Sequence, residues 1–228
     1  MQSQNAIYKR QMVSNVTPKG YIDFCVRMRG IRVRKSQMLA LEMICKKMKV
    51  MLSMLIPLPH IKALKRIFVI EDVEAWNPNL RSKTAIRTSD TRYFTDPSIA
   101  TAALGIGPQD LVADLRTFGF VFEALCVRDL RVYAEAINGK VYHYRDKNGL
   151  ECDAVIHLRD GRYGLVEIKL GGEKLIEEGV VTLKSLADKI DSDKMKRPSF
   201  LMVLTATGNY AYQREDGVYV VPIGTLKD

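Results

Sequence analysis

Three polar side chains in the stretch "ECDAVIHLRDGRYGLVEIKLGG", residues 151–172, have the types and spacing to do chemistry. Asp153 is followed, after thirteen residues, by Glu167-Ile168-Lys169. Two carboxylates brought close together repel unless something cationic lies between them. A divalent metal is one such cation, and hard oxygen ligands suit Mg²⁺ or Mn²⁺. A bound ion of this kind polarises a phosphodiester and lowers the pKa of an attacking water, while an adjacent lysine stabilises the negative charge that develops. A salt-bridge ladder would use the same residues differently, with Lys169 neutralising Glu167 and Asp153 across the strands. Spacing alone leaves both readings open.

Whether these residues meet depends on register. Residues 151–159 and 163–170 read as two strands joined by a tight turn. Cys152, Ala154, Ile156 and Leu158 share one face of the first strand, and Gly164, Val166, Ile168 and Leu170 share one face of the second. Both sets face the same core only if facing residues have an even index sum. A two-residue Asp160-Gly161 turn gives an odd sum and would turn one apolar face to solvent. A three-residue loop, Asp160 to Arg162, gives a sum of 322, provided a glycine can serve its left-handed position. Val155 then faces Glu167, Asp153 faces Lys169, and the polar residues gather opposite the apolar face.

The surrounding elements are legible from punctuation and periodicity. A short helix from His60 to Arg66 precedes a strand in "IFVIEDVEAW", and "RYFTD" reads as its returning partner. The connection between them holds Arg81, Lys83 and Arg87, with Arg92 following. A short helix with a basic two-stranded wing is the outline of a winged helix, which would set these four residues on DNA phosphates. A helix from Pro97 to Leu104 leads to "GIGPQD", and Pro108 opens a long helix over about 109–136, kinked near Gly119. Strands at 141–145, 151–159 and 163–170, a helix at 173–190, and strands at 199–205 and 217–222 complete an α/β sandwich.

Charge divides the chain. Residues 1–66 carry 14 Lys and Arg against Asp23 and Glu42, a balance of +12 that leaves −3 for the remainder. Such asymmetry suggests that the basic part contacts nucleic acid or a membrane surface. Eight of the ten methionines fall in the first 54 residues, and Pro57 and Pro59 close that segment. The expected division is a basic Met-rich segment (1–60), a winged-helix remnant with its basic connection (61–105) and an α/β domain (106–228). Lysines and Glu42 interrupt the apolar stretch 38–56, which argues against a spanning helix. The four cysteines and three histidines match no zinc spacing and no CxxC pair. With no signal-peptide pattern at the start, a cytoplasmic location with reduced thiols is expected.

The spacing of Asp153, Glu167 and Lys169 resembles the PD-(D/E)XK motif of the restriction-endonuclease-like superfamily, whose core has this α-β-β-β-α-β order. The resemblance implies a metal-binding Glu on the first helix, where "FGFVFEALCVRDLRVYAEA" offers Glu123. More closely, residues 61–226 resemble the C-terminal domain of unknown function that follows the P-loop module of bacterial and archaeal AAA-type ATPases. The segments "ALKRIFVIEDVEAW", "YHYRDKNGLECDAVI", "EIKLGG" and "EDGVYVVPIG" carry it. That module's GxxxxGK[ST] cradle has no counterpart here beyond "GIRVRKS" at 30–36, so neither ATP binding nor ATP hydrolysis is expected. Residues 33–59 do not resemble the family and fit a truncated or frame-shifted relative. The implied activity is metal-dependent cleavage of DNA by Asp153, Glu167 and Lys169. The alternative is a non-catalytic module that binds DNA or a protein partner.

Overall fold

The computed structural model describes residues 58–78 and 89–226. The segment 1–57 lies outside the described residues, as do Arg81, Lys83 and Arg87. Helix α1 (Leu58–Arg66) leads into strand β1 (Ile70–Val73), which pairs antiparallel with β2 (Thr91–Phe94), Ile70 opposite Phe94. A helix and a returning hairpin therefore stand where the sequence places them.

Helix α2 (Pro97–Leu104) is capped by the Asp96 carboxylate, which accepts from the Ser98 N–H, and Gly105 closes it in the left-handed conformation. The long helix expected from residue 109 onward is instead two, α3 (Pro108–Ala113) and α4 (Leu115–Ala136). The break falls at Asp114, not near Gly119. The Asp114 carboxylate accepts from the N–H groups of Arg116 and Thr117 and from the Thr117 hydroxyl, so it starts a new helix rather than continuing the old one.

The rest of the chain is strands β3 (Gly139–Arg145), β4 (Glu151–Leu158) and β5 (Tyr163–Lys169), helix α5 (Glu173–Lys189), and strands β6 (Phe200–Thr205), β7 (Tyr212–Gln213) and β8 (Tyr219–Pro222). They form one six-stranded mixed sheet in the order β3-β4-β5-β6-β8-β7. β3, β4 and β5 are antiparallel neighbours, α5 crosses over so that β6 lies parallel to β5, and β8 lies parallel to β6. The fold is α/β, as expected; the short edge strand β7 is an addition to the sequence reading.

Helices cover both faces. Phe122, Leu125, Cys126 and Leu130 of α4 pack on Val141, Ala154, Val166, Ile168 and Leu204. Val180, Leu183 and Leu186 of α5 pack on Val155, Leu165 and Val203. Each buried leucine contributes roughly 1.5–3 kcal/mol of transfer free energy, so both layers are true core. The face on which the sequence reading gathers the polar residues is thus itself apolar along most of its length.

The β1–β2 hairpin is fastened to this sandwich. Ala75 bridges His143 on β3, the Trp76 N–H donates to the His143 carbonyl (2.7 Å), and the Trp76 ring lies 5.0 Å from that of Tyr163. On α4, Arg131 pairs with Glu71 and Arg128 with Asp96. Val73 and Tyr93 complete the α4 core. Among the described residues, no helix is long and apolar enough to cross a membrane.

Candidate functional site

Register decides the site, and it differs from the expected one by two. Val155 faces Leu165 and Ala154 faces Val166, an index sum of 320. The sum is even, as the shared apolar core requires. The loop also has three residues, but they are Arg159 to Gly161, because the Leu158 N–H donates to the Arg162 carbonyl (2.8 Å). The shift puts Gly161 at φ +82°, the left-handed position that a loop of this type reserves for glycine. The Asp160 carboxylate accepts from the Arg162 N–H and fixes the turn.

A β-bulge then aims Asp153. Tyr142 pairs with Val155 and Tyr144 with Cys152, so Asp153 and Ala154 together oppose the single residue His143. The extra residue reverses the alternation. Cys152 joins Val155 in the α5 core instead of sharing a face with Ala154. Asp153 turns toward β5, where its carboxylate accepts from the Ile168 N–H (2.9 Å). Three residues on, just past the end of β5, the chain passes through Gly171, at φ +123°. A Cβ there would stand 2.5 Å from the Thr207 hydroxyl oxygen, so this exit admits only glycine without rearrangement.

Asp153, Glu167 and Lys169 do meet. Lys169 Nζ lies 2.5 Å from Glu167 Oε2 and 3.6 Å from Asp153 Oδ2. The Glu167 side chain is 4% exposed, whereas that of Lys169 keeps 24%. Gly179 of α5 packs over this position: a Cβ there would stand 3.4 Å from Glu167 Cβ and 3.3 Å from Val203 Cγ2. Burial, reinforced by the Asp153 charge, pushes the Glu167 carboxyl up to about 8 despite the ammonium beside it. Burial disfavours the Lys169 charge as well, but Asp153 and Glu167 outweigh it and hold the ammonium above its usual range.

Glu123 is placed differently. It accepts a 2.8 Å hydrogen bond from the Tyr93 hydroxyl on β2. Its charge adds to those that raise Lys169, and burial, Glu123 and Asp153 together push the Tyr93 phenol well above its normal range. Among the described residues, no three His, Cys, Asp or Glu side chains are grouped closely enough to hold a metal ion. The donor chemistry nevertheless fits a hard cation: Asp153 and Glu167 both reach the Lys169 ammonium, two carboxylates to one positive charge. Of the four basic residues expected on DNA, only Arg92 is described. Its guanidinium grips Asp72 in a bidentate pair (2.7 and 3.0 Å), and Lys65 also binds that carboxylate.

Two features of the site escape sequence reasoning. Nothing near residue 153 marks a bulge, since no Gly or Pro lies there. Tyr93 reads only as a strand aromatic, and its bond to Glu123 joins residues thirty apart.

Residues 118–226 match a family described as Domain of unknown function (DUF4143). Residues 36–110 match a second, Domain of unknown function (DUF8612). No curated protein matches the chain. Among solved structures, a chain of the half-complex from the tetradecameric assembly of Thermococcus gammatolerans McrB AAA+ hexamers with bound McrC superposes with a TM-score of 0.33 at 10% identity. The superposition covers 86% of this chain and 64% of that one.

Proposed function

We propose that the part of strands β4 and β5 bearing Asp153, Glu167 and Lys169 is the site of a nuclease-like domain that cleaves DNA phosphodiesters with a divalent cation. The observation that supports this reading is charge imbalance: two carboxylates that share Lys169, with Glu123 adding negative charge nearby, are answered by one ammonium. Asp153, aimed by the bulge, and Glu167, on the adjacent strand, would hold Mg²⁺ or Mn²⁺, with Glu123 as a further carboxylate. The bound ion would polarise the phosphodiester and lower the pKa of the attacking water. Lys169, partly exposed and able to turn on its flexible stem, would orient that water and stabilise the charge developing on the phosphate. DNA would be held by the basic connection with Arg81, Lys83 and Arg87, while Arg92 keeps its bond to Asp72. The test is cleavage of plasmid, linear duplex and single-stranded DNA in Mg²⁺ and in Mn²⁺. Lys169→Ala is expected to abolish cleavage while the thermal unfolding transition persists. A folded wild-type chain that cleaves none of these substrates defeats the catalytic reading.

One observation favours a second reading. The Lys169 ammonium already lies between the two carboxylates, as it would in a structural ion-pair network. The domain would then bind DNA or a partner without chemistry. Lys169→Ala would leave DNA affinity unchanged, and charge reversals at Arg81, Lys83 and Arg87 would weaken binding and flatten its salt dependence.

A further inference from the structure

Strand β7 forms one outer edge of the sheet and, among the described residues, pairs only with β8. Its bonds to β8 fall at even positions: Tyr212 faces Val220, and the Arg214 N–H donates to the Val218 carbonyl (2.9 Å). Hydrogen-bonded positions alternate along an antiparallel strand, so the N–H and C=O groups of Ala211 and Gln213 point away from the sheet. Edges kept single commonly carry lysine, proline or charge. β7 is short, but the run Asn209-Tyr210-Ala211-Tyr212-Gln213 has none of these. It shows aromatic surface instead: Tyr210 is 70% exposed, Tyr212 43% and Tyr219 of β8 39%. Tyr210 and Tyr212 share one side of the chain, their ring centroids 6.1 Å apart. Arg214 continues that side, its guanidinium bonded to Glu177 (2.8 Å) and Asp216 (3.3 Å).

We infer that β7 is a self-pairing edge, along which two copies of this chain join antiparallel about a two-fold axis at Tyr212. The outward groups set the register. Ala211 exchanges main-chain bonds with Gln213 of the second copy, so Tyr212 meets its own counterpart and Tyr210 meets the second copy's Arg214. These residues answer one another, as a two-fold interface requires. The donors of a guanidinium lie in its plane, so Glu177 and Asp216 can hold Arg214 while its faces stay free to stack on a tyrosine ring. On the other side of the strand, Gln213 lies beside Tyr219 and would face the small Ala211, which leaves that ring room. The opposite sheet edge is bonded to residues 74–76 at His143, so pairing stops at two copies. β7 lies three strands from β5, and the seam is separate from the candidate site.

The test is sedimentation equilibrium of the full chain from low micromolar to submillimolar concentration. Wild-type chain is expected to pass from monomer to dimer with no larger species. Ala211→Pro removes an outward N–H and no bond of the sheet, so its unfolding temperature at low concentration should match wild type while its dimer dissociation constant rises at least about tenfold. Tyr210→Ala should weaken the dimer about as much. Crosslinking reads the register in a chain with Cys25→Ser and Cys45→Ser. There Tyr212→Cys brings two thiols within disulfide reach across the axis, whereas Asn209→Cys leaves them about 20 Å apart. A mild oxidant should link the first into covalent dimers and leave the second unlinked. A wild type that stays monomeric overturns the inference and leaves the edge to an extended segment of another protein. A dimer that survives Tyr210→Ala and a folded Ala211→Pro uses another surface, which also overturns it. So does crosslinking through Tyr212→Cys no better than through Asn209→Cys. If Ala211→Pro fails to fold, Tyr210→Ala and the crosslinks decide.

Discussion

Asp146 and Glu167 are buried carboxylates of the same sandwich, each bonded to a lysine, yet they hold protons in opposite ways. Asp146 is fully buried, but it accepts from the N–H groups of Asn148 (2.8 Å) and Leu150 (3.0 Å) and from Lys189 Nζ (2.8 Å). Burial alone would raise it; the lysine and the main-chain donors outweigh that effect and hold it below the usual carboxylate range. Glu167 has a shorter bond to its lysine, 2.5 Å, but it shares that lysine with Asp153 and is pushed up to about 8. Loss of solvent contact alone therefore does not separate them. Glu167 lies deeper among protein atoms, and donor count and local charge balance add to that difference: a balanced, fully donated carboxylate is architecture, whereas a deep, unbalanced one is left wanting a cation or a proton.

The sharpest break of this comparison removes each lysine in turn. Lys189→Met leaves the Asp146 charge with no cation, held by its main-chain donors and the Tyr144 hydroxyl, and should cost about 2–3 kcal/mol in urea unfolding at pH 6. Lys169→Met should cost less than about 1 kcal/mol under the same conditions, because Glu167 can take up a proton and bury itself neutral. Equal costs would show that the two sites do not differ as described.

Next in size is the dependence on pH. The folded pKa of Glu167 lies above its ordinary 4.5, so the stability linked to its extra proton is complete below that pH and lost as pH rises through about 8. Wild-type urea midpoints should fall between pH 6 and pH 9, and Glu167→Gln should flatten that fall. Asp146 has the opposite sign. Its contribution is present above 3.8 and disappears as pH drops through its lower folded value, so Asp146→Asn should flatten the acid limb instead. A Glu167→Gln variant as steep as wild type in the alkaline limb would remove the contrast.

The smallest effect is expected at a third carboxylate, Asp216, which accepts from Lys184 at 2.8 Å and from Arg214 on the exposed β7–β8 turn. Lys184→Ala should change stability by no more than about 0.5 kcal/mol, because exposed pairs are screened and Arg214 remains. A larger loss would mean that exposure matters less than partner number.

Much of this arrangement was legible in residue order. The apolar sets ending in Leu158 and beginning at Gly164 demanded an even register, and an even register brings Asp153 to Glu167 and Lys169. The helix starts at Pro97 and Pro108 were marked by proline chemistry. What stayed hidden was set by tertiary contact. Gly161 could serve its turn only if the loop began one residue earlier, which moved the sum from 322 to 320. Val155 and Leu165 gave no sign that α5 would bury their face, and the Asp114 cap competed with an apolar pattern that ran straight through it. The Tyr93–Glu123 bond joins two elements that are remote in sequence, beyond the reach of any periodicity argument.

The bulge at Asp153 and Ala154 acts as a phase marker in the strand. Everything before it on β4 is written in one frame and everything after it in the other, so Cys152 and Val155 share a face across an odd interval. Deleting one of the two would restore a uniform frame with Cys152 and Val155 still on one face, whereas straightening the strand at full length would turn the start of β4 inside out, exchanging Glu151 for Cys152 in the core. The strand's reading frame and the aim of its one inward carboxylate are thus a single property, and neither can change without the other.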